Sequence, residues 1–402
     1  MPGAYAERVT GLYLHVPFCS ALCPYCDFAV VVGRADLHAR YLDALVAEAE
    51  AEAEAAGWSE PIDTVFIGGG TPSLVDADLL ARTLEKLRGI FAIDAGAEIT
   101  IEANPESVDE ASLRVLHEAG VNRVSVGAQS FRPGVLRTLG RTHTVTDIAR
   151  AATAARAAHL ANLSLDLIYG APGETLEDWE GSLRAAIDLG VEHLSCYALT
   201  VEERTAFGKA VARGTMLEPD QDALAERYEL AIELLGATGF EHYELSNWAK
   251  PRRKSRHNLV YWTQGNYLGL GLGAHSHRDG HRWWNTRSIN RYLDGRIRDG
   301  DEKLDEQQRA EEWVHLRLRL VDGLDTAEAE RRLGRSLADA VEELRVEGLA
   351  HTQQERLKLT VRGMLLENEV ALRLLDRNLS GNVRAEPAGS GQEQPGRRSR
   401  QA

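Results

Sequence analysis

Short apolar runs and longer segments with helical periodicity alternate along the first 240 residues of this 402-residue chain. The intervening segments are amphipathic; within residues 36–56, for example, apolar side chains recur every four positions. Strict alternation of strand and helix implies right-handed parallel crossovers, in an open sheet or a barrel. A full eight-unit barrel would need two more repeats. The pattern therefore predicts an α/β fold with a partial (β/α)6 barrel of the TIM type over residues 1–240. Six apolar runs have the length and composition of buried strands, and they begin at Leu12, Asp63, Ala97, Val121, Asn162 and Glu192.

The pattern changes after this barrel. Residues 241–304 are weakly periodic and rich in Trp, Tyr, His, Asn and Gly, and we interpret them as a connecting region. The next residues, 305–378, are predicted to form a mainly helical, winged-helix-like C-terminal domain. The tail, 379–402, is rich in Gly, Pro, Ser, Gln and Arg and is predicted to be disordered, because it cannot bury enough apolar surface to order itself. A short strand, RLKLT, precedes the last of four helical segments, which are 305–320, 326–333, 336–347 and 362–375.

The charge and hydrophobicity of the chain limit its partners. The formal net charge is −15. Proteins bind phosphate backbones through patches of lysine and arginine, and an excess of negative charge opposes such binding. Nucleic acid is therefore not expected as a partner, despite the winged-helix pattern. No run approaches the roughly 18 apolar residues of a membrane span, and the N-terminus lacks the basic and the long apolar parts of a signal peptide. These features predict a cytoplasmic protein without a transmembrane segment.

Three of the four cysteines lie within eight residues, in the stretch HVPFCSALCPYCDF. Such crowding is unsuited to a disulfide framework and indicates metal or redox chemistry. CPYC alone is typical of a redox dithiol, here Cys23 and Cys26, but Cys19 would have no role in that chemistry. A structural zinc site needs four ligands, and the fourth would have to be His15 or a remote residue. The third alternative is an iron–sulfur cluster held by the three crowded thiolates, with Cys196 as an ordinary core residue of the sixth strand.

The spacing C-x3-C-x2-C after a first strand, in a chain of six βα units, resembles the radical S-adenosylmethionine (SAM) enzymes. In that family three thiolates hold three irons of a [4Fe–4S] cluster, and the fourth iron is left open for the amino and carboxylate groups of SAM. An electron passed through the cluster then splits off a 5′-deoxyadenosyl radical. The resemblance implies a barrel of the radical SAM type, with Cys19, Cys23 and Cys26 as cluster ligands and SAM as a second cofactor.

Polar residues at the ends of the predicted strands agree with this interpretation. Glu102, Gln129 and Asp166 each follow an apolar run, and equivalent ends of parallel strands converge on one opening. The loop GGGTPS follows the second strand, where a backbone without side chains lets a ligand approach closely. By resemblance to the family, the residues that surround SAM are Tyr13, Tyr25, Gly69, Gly70, Thr71, Glu102, Gln129, Arg141, Asp166 and Ala198.

Longer motifs narrow the resemblance. The stretches LYLHVPFCSALCPYCDF, GGGTPS, LDLIYGAPGET and LKLTVRGMLLENEVALRLL together are similar to the oxygen-independent coproporphyrinogen III oxidase family. Two departures separate the chain from the oxidases themselves. Phe28 stands where they carry a further cysteine, and the first strand begins almost at once where they have a longer N-terminal extension. Both departures favour the HemW-type heme chaperones, which bind heme and pass it to acceptor apoproteins. The oxidase reaction, or another radical oxidoreductase activity, is the alternative.

The segment HNLVYW is similar to a motif of the heme-chaperone branch. His257 is the favoured heme ligand, since an imidazole can ligate heme iron, while Tyr261 and Trp262 offer apolar planar surface to a porphyrin. The alternative is a turn closed by Asn258, with both aromatic side chains in the core. The three hypotheses about function predict different experimental results. A chaperone takes up heme stoichiometrically without turning over coproporphyrinogen, an oxidase loses turnover on Cys19→Ala, and a dithiol protein keeps its activity after that change.

Overall fold

The computed structural model describes residues 9–58 and 60–376. Its first part contains the six predicted strands and two short strands in the cysteine loop: β1 (Gly11–Val16), β2 (Phe18–Cys19), β3 (Val31–Val32), β4 (Ile62–Gly69), β5 (Ile93–Ala103), β6 (Arg123–Gln129), β7 (Asn162–Tyr169) and β8 (His193–Ala198). The helices between and after them are α1 (His38–Ala56), α2 (Ala77–Ile90), α3 (Glu110–Glu118), α4 (Pro133–Thr138), α5 (Val145–Ala157), α6 (Leu176–Asp188), α7 (Ala206–Ala212) and α8 (Gln221–Ala237). Short 3₁₀ helices lie at Ala35–Leu37, Pro72–Leu74 and Pro105–Ser107.

Local sequence explains where several of these helices begin. Helix α5 is preceded by Thr144, whose hydroxyl accepts from the backbone N–H of Asp147 while the Asp147 carboxylate accepts from the backbone N–H of Thr144. Thr175 and Asp178 form the same reciprocal pair at the start of α6. Such capping boxes satisfy backbone donors that have no partner within the helix. The apolar faces of both helices then pack into the main core.

The six predicted strands form a parallel array in the order β1-β4-β5-β6-β7-β8. Strand β7 is typical, since the side chains of Leu163, Leu165 and Leu167 are all buried. Successive side chains of a strand point to opposite faces, so these leucines pack into the main core, while Ser164 and Asp166 lie on the other face. The predicted α/β fold with a partial (β/α)6 barrel is confirmed, and the carboxyl ends of its strands lie along one edge.

The predicted connecting region, 241–304, extends the same sheet rather than lying outside it. Strands β9 and β10 continue the sheet antiparallel beyond β8. At the other end β11 pairs parallel with β1, and β12, β13 and β14 follow antiparallel. The sheet therefore has twelve strands in the described residues. The elements of this region are β9 (Glu241–Glu244), β10 (Asn247–Ala249), α9 (Arg256–Trp262), β11 (Tyr267–Gly271), β12 (His275–Arg278), β13 (His281–Asn285), α10 (Ile289–Leu293) and β14 (Arg298–Lys303).

Strand β11 has the glycine-rich sequence YLGLG, which strand propensity disfavours. The structure gives the reason for the glycines. A Cβ on Gly269 would lie 2.0 Å from the carbonyl oxygen of His275. Gly271 has φ +100°, and a Cβ there would lie 2.5 Å from the carbonyl oxygen of His15. Close backbone approach, not β propensity, therefore decides the sequence of this strand.

A buried carboxylate ties the β11 edge to the first helix. Oε2 of Glu48 accepts hydrogen bonds from the backbone N–H of Gly271 at 2.8 Å and from the Tyr292 hydroxyl at 2.6 Å. Oε1 accepts from Nδ2 of Asn285 at 2.6 Å. Burial raises the pKa of Glu48 to about 7, but these donors favour its charged form. One side chain of α1 thus fixes three segments of the region that follows residue 240.

The C-terminal part has a core of its own, built around Trp313, Leu324, Leu344 and Leu357. The small antiparallel sheet has the order β15-β17-β16, so the winged-helix-like prediction is confirmed. The final predicted helix is two helices that meet at Leu366, and the predicted disordered tail lies outside the described residues. None of the helices in the described ranges is long and apolar enough to cross a membrane. The elements are α11 (Glu306–Leu318), β15 (Leu324–Asp325), α12 (Thr326–Leu333), α13 (Ala338–Val346), β16 (Ala350–Gln353), β17 (Arg356–Leu359), α14 (Val361–Leu365) and α15 (Glu367–Leu375).

Candidate functional site

A cavity of about 1050 Å³ opens at the carboxyl ends of the parallel strands. Its volume is at the upper end of the range that small-molecule sites occupy. Of the residues predicted for the site, His257 is the one that does not line it. The cavity brings together Tyr13, Cys19, Cys23, Tyr25, Cys26, Gly69, Gly70, Thr71, Glu102, Gln129, Arg141, Asp166 and Ala198.

The three crowded cysteines are free, half-buried thiols on one wall of this cavity. Sγ of Cys19 accepts a hydrogen bond from the Thr71 hydroxyl at 3.8 Å, and Sγ of Cys23 accepts one from Nη1 of Arg141 at 3.6 Å. Burial raises the pKa of the Cys19 and Cys26 thiols, so their thiolates need a positive partner to be stable. A metal centre would supply that charge.

Within the described part of the chain, no three His, Cys, Asp or Glu side chains are grouped so that they could hold one metal ion. The ligands of a zinc ion surround one centre, whereas the thiolate ligands of an iron–sulfur cluster are distributed over several irons.

Arg141 connects the cysteine loop to the ends of the strands. Its Nη2 donates to Oδ1 of Asn104 at 2.5 Å and to the carbonyl of Gly127 at 3.3 Å. Asn104 in turn donates from Nδ2 to the Thr71 hydroxyl at 3.2 Å. Sequence reasoning missed Asn104, although it lies two positions after Glu102 at the end of β5, where it could have been found by the same strand-end rule.

Two carboxyl groups, on β5 and β7 at either side of β6, lie deep in the cavity. Oε2 of Glu102 accepts from the backbone N–H of Gly69 at 3.0 Å, and both oxygens of Asp166 lie 3.1 Å from the Ser125 hydroxyl. Burial, followed by the nearby charge of Asp166, raises the pKa of Glu102 to about 7. Burial also raises the pKa of Asp166. Two such groups favour a cationic ligand, because a positive charge between them relieves both effects.

Unusual backbone conformations shape the floor of the cavity. Gly69 has φ +115°, and a Cβ there would lie 2.7 Å from the His15 ring. That ring cannot move aside cheaply, because its nitrogens bond to the Tyr13 hydroxyl at 3.0 Å and to the carbonyl of Ala29 at 2.8 Å. Gln129 has φ +61°, and the pairing of β6 with β7 shifts register just before it. An irregularity of this kind redirects a side chain at a strand end.

His257 lies in the core beneath the cavity rather than in it. Its side chain is 1% exposed, Nδ1 is 2.8 Å from the Thr64 hydroxyl, and Nε2 is 2.8 Å from the Tyr261 hydroxyl. Burial lowers the pKa of His257 to about 3. Both ring nitrogens are thus occupied, and iron ligation by His257 would require one of these bonds to break. Of its aromatic neighbours, Tyr261 lines the cavity, whereas Trp262 packs under Arg319.

The cavity continues past the predicted residues onto the β11–β14 edge. The side chains there that sequence reasoning missed are more aromatic and less hydrogen-bonded than those at the strand ends. A feature that could have pointed to them is the density of Trp and His in 275–284, which was assigned to a connecting region. They include Tyr267, His275, Trp284 and Arg287.

Comparisons with known proteins agree with this architecture. Residues 13–186 match the family model of the radical SAM superfamily, and residues 304–366 match that of the HemN C-terminal domain. The curated protein "Heme chaperone HemW" of Mycobacterium tuberculosis is 43% identical over 385 residues, which are 93% of this chain and 96% of that protein. The protein of the same name from Bacillus subtilis is 36% identical over 89% of this chain and 97% of its own length.

A solved structure shares the fold over most of the chain. Coproporphyrinogen III oxidase (HemN) from Escherichia coli, described as a radical SAM enzyme, superimposes with a TM-score of 0.78 at 24% sequence identity. The match covers 92% of this chain and 91% of the oxidase. At this identity the match establishes a common fold.

Proposed function

Because the chain belongs to the HemW heme-chaperone family of the radical SAM superfamily, we propose that it binds heme and transfers it to acceptor apoproteins. The observation that carries the proposal is the cavity, which has two chemically different ends. One end holds three free cysteines, two carboxyl groups and an arginine, and the other, at the β11–β14 edge, carries Tyr267, His275 and Trp284 beside Arg287. Such a cavity has room for a polar cofactor and a flat apolar ligand at the same time.

The cysteine end suits a [4Fe–4S] cluster. Cys19, Cys23 and Cys26 would hold it, and the guanidinium of Arg141, 3.6 Å from Sγ of Cys23, would offset part of its negative charge. A bound cluster would supply one-electron transfer. The chain's own contribution is to keep the thiols half-buried and to surround them with hydrogen-bond donors, which lowers the cost of the thiolate form.

The two carboxyl groups at the strand ends suit SAM, which carries a sulfonium and an ammonium group. Glu102 and Asp166 would attract these charges, and the backbone at Gly69 and Gly70 would let the methionine part approach. Gln129, Thr71 and the other strand-end groups would complete the hydrogen bonds. Their convergence on one cavity supports the assignment of these residues to SAM.

We expect the affinity for SAM to rise with pH up to about 7 and then to level off. The pKa of Glu102 is about 7 in the folded protein, and a cationic ligand favours its charged form, so binding below that pH must release a proton. The affinity should then fall by up to about tenfold for each pH unit below 7. Calorimetric titrations of the reconstituted protein across this range measure the effect.

The control for this prediction is Glu102→Gln, which keeps an acceptor for the Gly69 N–H but does not titrate. Any titration of SAM itself affects both proteins equally. The difference between their plots of affinity against pH therefore gives the contribution of Glu102. If the affinity for SAM depends on pH in the same way in the wild type and the variant, the prediction is wrong.

The proposed function is tested against the oxidase on one preparation. Protein reconstituted anaerobically with iron and sulfide is titrated with hemin, and the same material is assayed for coproporphyrinogen turnover with SAM and a reductant. Stoichiometric heme binding without turnover supports the chaperone. Turnover would identify an oxidase, and the absence of both would overturn the proposal.

A further inference from the structure

Two histidines line the cavity within the described residues, His15 and His275. The nitrogens of His15 are both hydrogen-bonded, and its side chain is buried. His275, at the start of β12, is exposed to the cavity, and neither of its ring nitrogens has a hydrogen-bond partner among the residues that the structure describes. It is therefore the cavity's one histidine, in this part of the chain, with a ring nitrogen free to bind a metal ion.

The imidazole of His275 is held in a defined orientation. It stacks on the indole of Trp284, the residue opposite it on β13, with ring centroids 6.0 Å apart and planes 25° apart. The indole is itself held in place, because a Cβ on Gly300 of the next strand would lie 2.4 Å from it. Burial and the positive charges of Arg282 and Arg287 lower the pKa of His275, which keeps the ring in the neutral form that ligates metals.

An apolar surface faces this edge from the cysteine loop. Phe28 lines the cavity and is 71% exposed, so its ring is free to contact a ligand there. Its two neighbours contact the edge on which His275 lies. Nη2 of Arg287 donates to the carbonyl of Asp27, and a Cβ on Gly273 would lie 3.0 Å from Cβ of Ala29. Phe28 is therefore held close to the start of β12.

We propose that His275 is the axial ligand of the heme iron, with the macrocycle lying against Phe28 and a heme carboxylate facing Arg287. An axial imidazole stands roughly perpendicular to the porphyrin, so Trp284, which is stacked on His275, orients the ligand rather than the heme. Arg287 uses one N–H for Asp27 and keeps others for a carboxylate. This inference rests on the proposed function. It places heme at the aromatic end of the cavity, beside the cysteines, and not in the core around His257.

The test compares His275→Gly with His281→Gly in the full-length, reconstituted protein. His281 lies on the next strand and bonds to Asp301 at 3.0 Å, and it is not among the cavity residues, so it controls for loss of a histidine and for glycine in a strand. Each protein is titrated with hemin and followed by its Soret absorbance. We expect His275→Gly to bind heme roughly 10- to 100-fold more weakly with a shifted Soret band, and added imidazole to restore the wild-type spectrum.

The outcomes separate the inference from the proposed function. If the wild type fails to bind heme, the proposed function is wrong. If the wild type binds heme and His275→Gly has the same spectrum and affinity, heme binds but His275 is not the ligand. A loss that imidazole does not restore, at an unchanged melting temperature, would also overturn ligation by His275. Ligation by His275 is supported if His275→Gly loses heme affinity and imidazole restores its spectrum, while His281→Gly behaves like the wild type.

Discussion

Replacing Cys19 by alanine is expected to abolish the iron–sulfur cluster. Each thiolate would hold a separate iron, and with two remaining protein ligands the cluster would have two irons exposed to solvent and chelators. Iron and sulfide content after anaerobic reconstitution should fall from about four atoms each per chain to near zero, with loss of the broad cluster absorbance. The same measurement distinguishes the cluster from a Cys23–Cys26 dithiol, which does not need Cys19.

The matched control is Cys196→Ala, which removes the one cysteine outside the cysteine loop. Cys196 is buried in β8, and burial raises the pKa of its thiol, so it suits the core and not a metal centre. This variant should keep its full iron content. A Cys19→Ala protein that binds as much iron as the wild type, or a wild type that takes up only zinc, would refute the cluster.

Replacing Gly69 by alanine is expected to remove most of the affinity for SAM. The residue has φ +115°, which alanine adopts only with strain of about 1–3 kcal/mol, and its new Cβ would lie 2.7 Å from a His15 ring fixed by two hydrogen bonds. Relief of this clash moves the backbone N–H away from Glu102, a charge-assisted bond that contributes roughly 1.5–3 kcal/mol. A displaced loop would no longer fit a ligand that contacts its backbone, and we expect the affinity for SAM to fall at least about 100-fold, which is about 2.8 kcal/mol of binding free energy.

Gly89→Ala provides the control, since it makes the same chemical change in helix α2, where a Cβ meets no atom within 4 Å. Alanine is favoured over glycine within a helix by about 1 kcal/mol, so this variant should bind SAM normally and melt at a slightly higher temperature. Calorimetric titration of both reconstituted variants checks the prediction. Normal SAM affinity in Gly69→Ala would remove the GGGTPS loop from the site.

Much of the barrel could be predicted because its strands carry their own signal. Strands such as β7 carry buried leucines at alternate positions, and Glu102 and Asp166 lie towards the carboxyl ends of β5 and β7. Parallel strands end at a common edge, so positions 64 residues apart in sequence could be placed in one cavity before any coordinates were known. The cysteine triplet needed no tertiary information, because its ligands are local.

The parts that could not be predicted depend on contacts between distant residues. The sequence YLGLG is typical of a turn. It forms a strand here because the backbones of β1 and His275 approach its glycines closely. HNLVYW reads equally well as a ligand-bearing loop or as a core segment, and the choice depends on Thr64, which is far from His257 in sequence and bonds to its ring. The Trp- and His-rich sequence around His275 does not separate it from His277 and His281; what distinguishes it is that its ring lines the cavity and has no hydrogen-bond partner among the described residues.

The pairing of β11 with β1 has a consequence for biosynthesis. Gly11 pairs with Tyr267, so one edge of β1 must wait for a partner that the ribosome makes about 250 residues later, although its other edge can pair with β4 much earlier. At roughly 5–20 residues per second, the nascent chain leaves the first of these edges unpaired for about 10–50 s. The aromatic end of the cavity is thus the last to be assembled on the ribosome, and a newly made chain gains its cysteine loop well before it gains a place for heme.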